Sequence, residues 1–349
     1  MRLYPFFIPH AGCPHRCRFC QQQRTSGQGK APAPEEVART LEDILPEWGG
    51  GEGEGEGEGE VAFYGGTFTL LPEEDQHAYL GAVAPFIRNG RVDGIRVSTR
   101  PDALSQPAVE LLRLAGVRTV EIGCQSFSPD VLRHSGRGHG PREIGEAVDR
   151  LRNAGLAVGL QLMPGLPGGS REEALDSLER ALALRPDFLR IYPTVVLRGT
   201  ALEDDLHAGA YRPLGLEEAV DLCAEMLWRC RHNTVPVIRL GLQGTPELET
   251  GQAWVAGPWH PAFGQLVRSR LWRRGLERGG EATGSRRAEV HPADFSDARG
   301  HGRFNLEYLR QRFGEFIISS NRLVPREHMA FGGQCFTLTD LSGYEGQNN

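Results

Sequence analysis

Apolar residues along the chain fall into short runs, and between them lie amphipathic stretches of helical period. LYPFFIP, Leu3 to Pro9, predicts a buried strand. The alternation then continues through helix PEEVARTLEDIL, strand VAFYGG, helix EEDQHAYLGAVAPFI, strand GIRVST, helix ALSQPAVELLRLAG and strand VRTVEIG. It goes on through helix REIGEAVDRLRNAG, strand LAVGLQLM, helix REEALDSLERALAL and strand DFLRIYP. Two of these helices end on a glycine just before a short apolar run, at Gly116 and Gly155, which is how an α-to-β joint is capped. Six βα units in series predict an α/β fold with a parallel sheet and helices outside, closed as a full or partial barrel.

One stretch breaks the rhythm. Gly49 to Glu60 alternates glycine with carboxylates and has no apolar residue, so it is expected to be a flexible, solvated insert. After Tyr192 the βα pattern loosens: helix LEEAVDLCAEMLWRC precedes strand VPVIRLG, and a small α+β extension is expected from about Gln265, with helix FNLEYLRQRFG and strands at FIISS and QCFTL. The expected division is a barrel domain over 1–264, including the insert at 49–60, and an extension over 265–349.

Composition narrows the function classes. The formal charge of -6 gives no whole-protein field that would draw nucleic acid, so any RNA binding must be regional. No apolar run approaches the roughly 20 residues of a membrane helix, and MRLYPFFIPHAGC has no signal-peptide pattern, so a cytoplasmic protein without a membrane partner is expected. Seven cysteines in 349 residues are too few for a disulfide scaffold and leave thiols for metal or chemistry.

Three of those thiols sit in CPHRCRFC, at Cys13, Cys17 and Cys20, on the loop after the first strand. A structural zinc wants four ligands, usually as two close pairs, and the next cysteine, Cys124, is more than a hundred residues away. A four-thiolate iron-sulfur cluster is complete and passes electrons only, whereas three thiolates leave one iron open to a small molecule. Zinc binding or a chance cluster of loop cysteines is the bland alternative. The place is the one where barrel enzymes put their chemistry.

The motif resembles the radical S-adenosylmethionine (radical SAM) superfamily. The resemblance implies a [4Fe-4S] cluster on Cys13, Cys17 and Cys20, whose open iron is chelated by SAM. It also implies reductive cleavage of SAM to methionine and a 5'-deoxyadenosyl radical. Phe19 matches an aromatic position bordering the adenine, or is simply an apolar cover for the cluster. FYGGTFT ends the second strand, where Gly65, Gly66 and Thr67 match the step that holds the SAM amino group; a plain turn is the alternative. In STRPD, Arg100 either binds a SAM carboxylate or ribose or pairs with Asp102. In EIGCQSF, Gln125 and Ser126 suit a ribose or an amide, and Cys124 reads as core. Arg137 and His139 of RGH face the site or lie on a solvated loop. LMPGLPG brings rigid backbone, including Gly165, near the adenine, and Tyr192 and Arg198 of YPTVVLRGT are candidates for the substrate pocket.

In their order, IPHAGCPHRCRFC, GGTFT, STRPD, EIGCQS, RGH, MPGLP and YPTVVLRGT resemble the radical SAM domain of the Elongator catalytic subunit and its bacterial relatives, from about Phe6 to Thr200. EIGCQSFSPDVL and LMPGLPGG resemble oxygen-independent coproporphyrinogen oxidase more weakly. The nearer resemblance implies a partial parallel (β/α)6 barrel and an RNA base or nucleotide as substrate. A tetrapyrrole or other small metabolite is the rival, and a non-catalytic iron-sulfur or zinc carrier lies further off. The segment that precedes the cluster in Elongator is expected to be missing. After Thr200 there is no G-x-G-x-x-G/A-type loop of the kind a CoA-binding helix N-terminus would use, so acetyl-CoA chemistry is not carried over. An electron donor such as flavodoxin or ferredoxin is implied. Arg268, Arg270, Arg273, Arg274 and Arg278 around Trp272 would suit phosphates and a base, but the favoured expectation is a solvated basic helix with its tryptophan in the core, since arginine is this chain's default cation.

Overall fold

The computed structural model describes residues 2–14, 16–26, 29–45 and 59–344. The chain divides into two compact units, one built from 1–213 and 242–257, the other from 214–241 and 258–349.

In the first unit, strands β1 (Leu3–Phe7), β2 (Glu60–Tyr64), β3 (Gly94–Thr99), β4 (Val117–Gln125), β5 (Ala157–Leu162) and β6 (Phe188–Ile191) pair in sequence order, every pair parallel. Helices α1 (Gln22–Ser26), α2 (Pro34–Ile44), α3 (Glu73–Arg88), α4 (Gln106–Leu114), α5 (Pro129–His134), α6 (Pro141–Asn153) and α7 (Arg171–Ala183) alternate with them, and α8 (Ala201–His207) follows β6. Strict alternation along each strand separates two faces. Val61, Phe63, Ile95, Val97, Val120, Ile122, Val158 and Leu160 are buried on one face, where the Phe63 ring meets Tyr79 of α3 at 5.4 Å. The other face carries charge, described below. A one-sided apolar sheet with a polar inner face is what an open barrel with a working interior requires.

Only the end of the Gly49 to Glu60 insert lies among the described residues, and there the expectation fails. Glu60 is the first residue of β2 and is 2% exposed, because Arg96 Nε and Thr119 Oγ1 hold its carboxylate at 2.7 and 2.6 Å. Position 58 and those before it in the insert lie outside the described residues.

In the second unit, helix α9 (Leu216–His232) packs on the helix Phe263–Thr283. That pairing puts α9 with the C-terminal part of the chain in the second unit. A four-stranded sheet runs in the order Ile317–Ser320, Arg287–Val290, His328–Phe331, Gln334–Thr337. The long helix lies close on this sheet: a Cβ at Gly279 would stand 2.2 Å from the Phe331 ring, and one at Gly275 2.6 Å from Met329 Cε. Its arginines are spent inside the unit. Arg270 pairs with Glu217 and Asp221, Arg268 with Asp297 at 2.6 Å, Arg273 stacks on Tyr308 and Arg274 on Tyr344, and Trp272 is buried. Trp272 lies in the core as expected, but these arginines are engaged by side chains of the unit rather than solvated.

Candidate active site

The cysteine loop leaves β1 and is stitched to the glycine step at the end of β2. Thr67 N–H donates to the Ala11 carbonyl at 2.7 Å, and Gln22 Oε1 accepts from the N–H of His10 and of Gly66 at 2.5 and 2.7 Å. Glycine is required at this seam for closeness as well as for its turn. Gly66 has φ 62° and a Cβ there would lie 2.1 Å from the Ala11 carbonyl oxygen; Gly12 has φ 69° and its Cβ would lie 2.3 Å from that of Thr67. Gly65, at φ 81°, leads into the seam. The first cysteine sits at the same place, with Cys13 Sγ 3.5 Å from Thr67 Oγ1.

The other side of the loop is braced twice. Arg18 N–H donates to the Ser135 carbonyl at 3.1 Å after α5, and the Arg18 guanidinium grips Asp205 of α8, with Nε 2.7 Å from Oδ2. Cys17 and Phe19 are buried in an apolar cluster with Val131, Leu166, Val196, Leu202 and Tyr211, and Cys20 packs against it. Cys17 and Cys20 therefore lie in or against apolar packing, while Cys13 sits at the glycine seam. Burial, and then the neighbouring charges of Cys17 and Cys13, push the Cys20 thiol up to about 12, while the charge of Arg137 pulls it back.

Arg137 is the residue that reaches them. Its Nη1 donates to Cys17 Sγ at 3.3 Å, Nη2 to the Gly123 carbonyl at 2.5 Å and Nε to His139 Nε2 at 3.1 Å. With Nε2 accepting, the proton of neutral His139 is on Nδ1, a buried atom beside the Gly140 backbone. Burial, and then the charge of Arg137, hold the imidazole down to about 4, so it is neutral at ordinary pH.

The remaining sequence candidates divide. Arg100 is buried and clamps Asp102 through two bonds of 2.9 and 2.8 Å, and it also donates to the Arg137 carbonyl at 3.3 Å. Burial opposes charge on Asp102, but the Arg100 bonds outweigh it and hold the carboxyl below its usual range. Gln125 stands on a register shift of β4 at φ 72° and accepts from Gln161 Nε2 at 3.1 Å. Ser126 is drawn away into a buried trio, donating to Glu173 at 2.6 Å beside Ser177. The carbonyl of Gly165 takes the Tyr211 hydroxyl at 2.6 Å. Arg198 is exposed and donates to the Gln252 carbonyl at 3.1 Å. Cys124 is fully buried, with its thiol pushed up to about 12 by burial, and is a core residue as expected.

Sequence reading missed the inner face of the sheet. Arg96 binds Glu60 at 2.7 Å and Glu121 at 2.9 Å; Arg190 binds Glu121 at 2.9 Å and the hydroxyls of Tyr64 and Tyr192 at 2.6 and 3.0 Å. Burial, and then the charge of Glu121, raise the Tyr64 phenol, which stays protonated and donates to Glu121. The signal was available: Arg96 in GIRVST, Glu121 in VRTVEIG and Arg190 in FLRI each put a charge inside an apolar strand run.

Among the described residues no three His, Cys, Asp or Glu side chains form a group set for a single metal ion. A cubane cluster makes no such demand, since each thiolate binds its own iron.

Comparison with known proteins places this geometry. Residues 7–181 match the radical SAM superfamily and residues 186–273 the radical SAM C-terminal domain. Elongator complex protein 3 of Saccharomyces cerevisiae is 31% identical over 188 residues, 48% of this chain and 34% of the relative. A tRNA uridine(34) acetyltransferase of Methanocaldococcus infernus is 33% identical over 129 residues, 36% of this chain and 24% of the relative. The chain thus matches only about a third or a quarter of the length of these relatives. In structure it is similar to the archaeal Elp3 of M. infernus with an N-terminal deletion, at TM-score 0.56 and 21% identity over 81% of this chain and 63% of that one. It is also similar to HydG, a maturase of the [FeFe]-hydrogenase, at TM-score 0.51 and 16% identity over 76% and 54%. These two likenesses show the fold, a partial parallel barrel. The superfamily match runs through the cysteine loop, the glycine seam and the Arg137 contacts, and the chain belongs to the radical SAM superfamily.

Proposed function

We propose that this enzyme cleaves SAM reductively at a [4Fe-4S] cluster held by Cys13, Cys17 and Cys20, and that it acts on an RNA base or nucleotide. The observation that carries the reading is a single loop with three free thiols, beside a buried guanidinium that reaches Cys17 and, among the described residues, hydrogen-bonds no carboxylate. The donors fit the group: thiolates suit iron, and the Arg137 guanidinium matches the negative charge of a thiolate-bound cluster. When bound, the cluster supplies the one electron that splits SAM into methionine and a 5'-deoxyadenosyl radical.

The protein's own part is to hold and exclude. Backbone at Gly65, Gly66, Thr67 and Gly165, with Phe19 and Gln125, is assigned to SAM. Arg100 and Ser126 are already engaged by Asp102 and Glu173, so the proposal gives them the work of fixing the pocket wall. Apolar packing of Phe19, Leu166 and Val196 around Cys17 keeps water from the thiolates. The RNA reading rests on the named relatives. It takes nothing from the arginines of Phe263–Thr283, and because those relatives are matched over only about a third or a quarter of their length, acetyl transfer is no part of it. A flavodoxin or ferredoxin is the proposed electron source.

Reduced, reconstituted protein incubated with SAM is expected to form 5'-deoxyadenosine, more in the presence of bulk tRNA, while Cys17→Ala forms none above background. Equal amounts from the two proteins would refute the reading.

A further inference from the structure

Arg137 is placed by local sequence. Helix α5 ends in HSGRGH, where Gly136 takes the left-handed conformation at φ 69°. Gly136 N–H bonds the Arg133 carbonyl and Arg137 N–H the Leu132 carbonyl, at 3.1 and 2.9 Å. This pair of bonds is a Schellman cap, which turns the chain back over the helix end and fixes where the next side chain starts. From there the guanidinium is held at three points, by Cys17 Sγ, the Gly123 carbonyl and His139 Nε2, and the residue is 6% exposed. Arg100 secures its backbone carbonyl and is itself locked on Asp102.

The charge is what matters. Guanidinium does not deprotonate, and a buried cation needs an anion nearby. The carbonyl is neutral and the imidazole is neutral, so the negative charge has to come from the Cys17 side. We propose that Arg137 is a positioning residue that anchors the Cys17 ligand and, through its charge, raises the reduction potential of the cluster. The inference rests on the function proposed above. Reduction adds an electron to a cluster whose ligand sulfur already accepts a charged hydrogen bond. The extra negative charge is stabilised by the guanidinium, so the reduced state gains more than the oxidised one.

The test uses the full chain, reconstituted anaerobically without SAM, as wild type, Arg137→Gln and Arg137→Lys. Iron and sulfide content, circular dichroism and an EPR-monitored potentiometric titration are recorded for each. In R137Q the midpoint is expected to move to more negative potential, with the reduced fraction at a fixed low potential falling about tenfold, equivalent to about 59 mV for a one-electron couple. R137K keeps a charge without the three-point fork and is expected to move less in the same direction. If R137Q folds but fails to take up iron, R137K reads the same midpoint. Wild-type midpoints in the variants that hold the cluster would overturn the inference while leaving the proposed function standing. Wild-type protein that takes up no iron would overturn both.

Discussion

His139 shows how one residue joins stability to the site. Its ring is neutral because burial and the adjacent Arg137 both penalise the imidazolium, which brings its pKa from 6.5 to about 4. The unfolded chain therefore binds more protons than the native chain between those two values. Stability rises with pH across that window and is lost on acidification through it. Compared with His139→Gln, the cluster-free wild type is expected to lose about 2 kcal/mol more between pH 7 and pH 5. Thermal unfolding at the two pH values checks this, and parallel losses in the two proteins would contradict it.

At the scale of elements, the sheet depends on charges that its strands turn inward. Arg96 of β3 joins Glu60 of β2 to Glu121 of β4, and all three side chains are nearly inaccessible. Removing one partner of such a network leaves a buried charge uncompensated, at a cost of about 3–5 kcal/mol. Arg96→Met is expected to destabilise the protein by that amount in urea unfolding, and adding Glu60→Gln should return part of it. A loss under about 1 kcal/mol would mean the network is solvated. The six strands and their order were legible because each apolar run is short and the amphipathic helices between them separate one from the next. The network was not, since its members lie up to 130 positions apart, from Glu60 to Arg190, and only the register of the sheet brings them together. The end of the Gly-Glu insert was misread for the same reason: nothing local distinguishes Glu60 from the carboxylates before it. The cysteine loop and glycine seam were legible as motifs. The contact of Arg137 with Cys17 was not, because it needs the cap after α5 to aim the side chain.

For the whole molecule, the question is whether it carries an open-iron cluster. No helix among the described residues is long and apolar enough to cross a membrane, and Arg268, Arg270 and Arg273 of the long helix are engaged within the second unit. What distinguishes this chain is one loop of three thiols, at a place where a parallel barrel delivers strand ends and where a buried cation is already waiting. The measurement that tests this directly is iron and sulfide analysis of the anaerobically purified protein, with an EPR spectrum of the reduced form before and after SAM is added. The account predicts about four irons per chain and a spectrum that changes when SAM occupies the open iron. Zinc in place of iron, or a cluster whose spectrum ignores SAM, would contradict it.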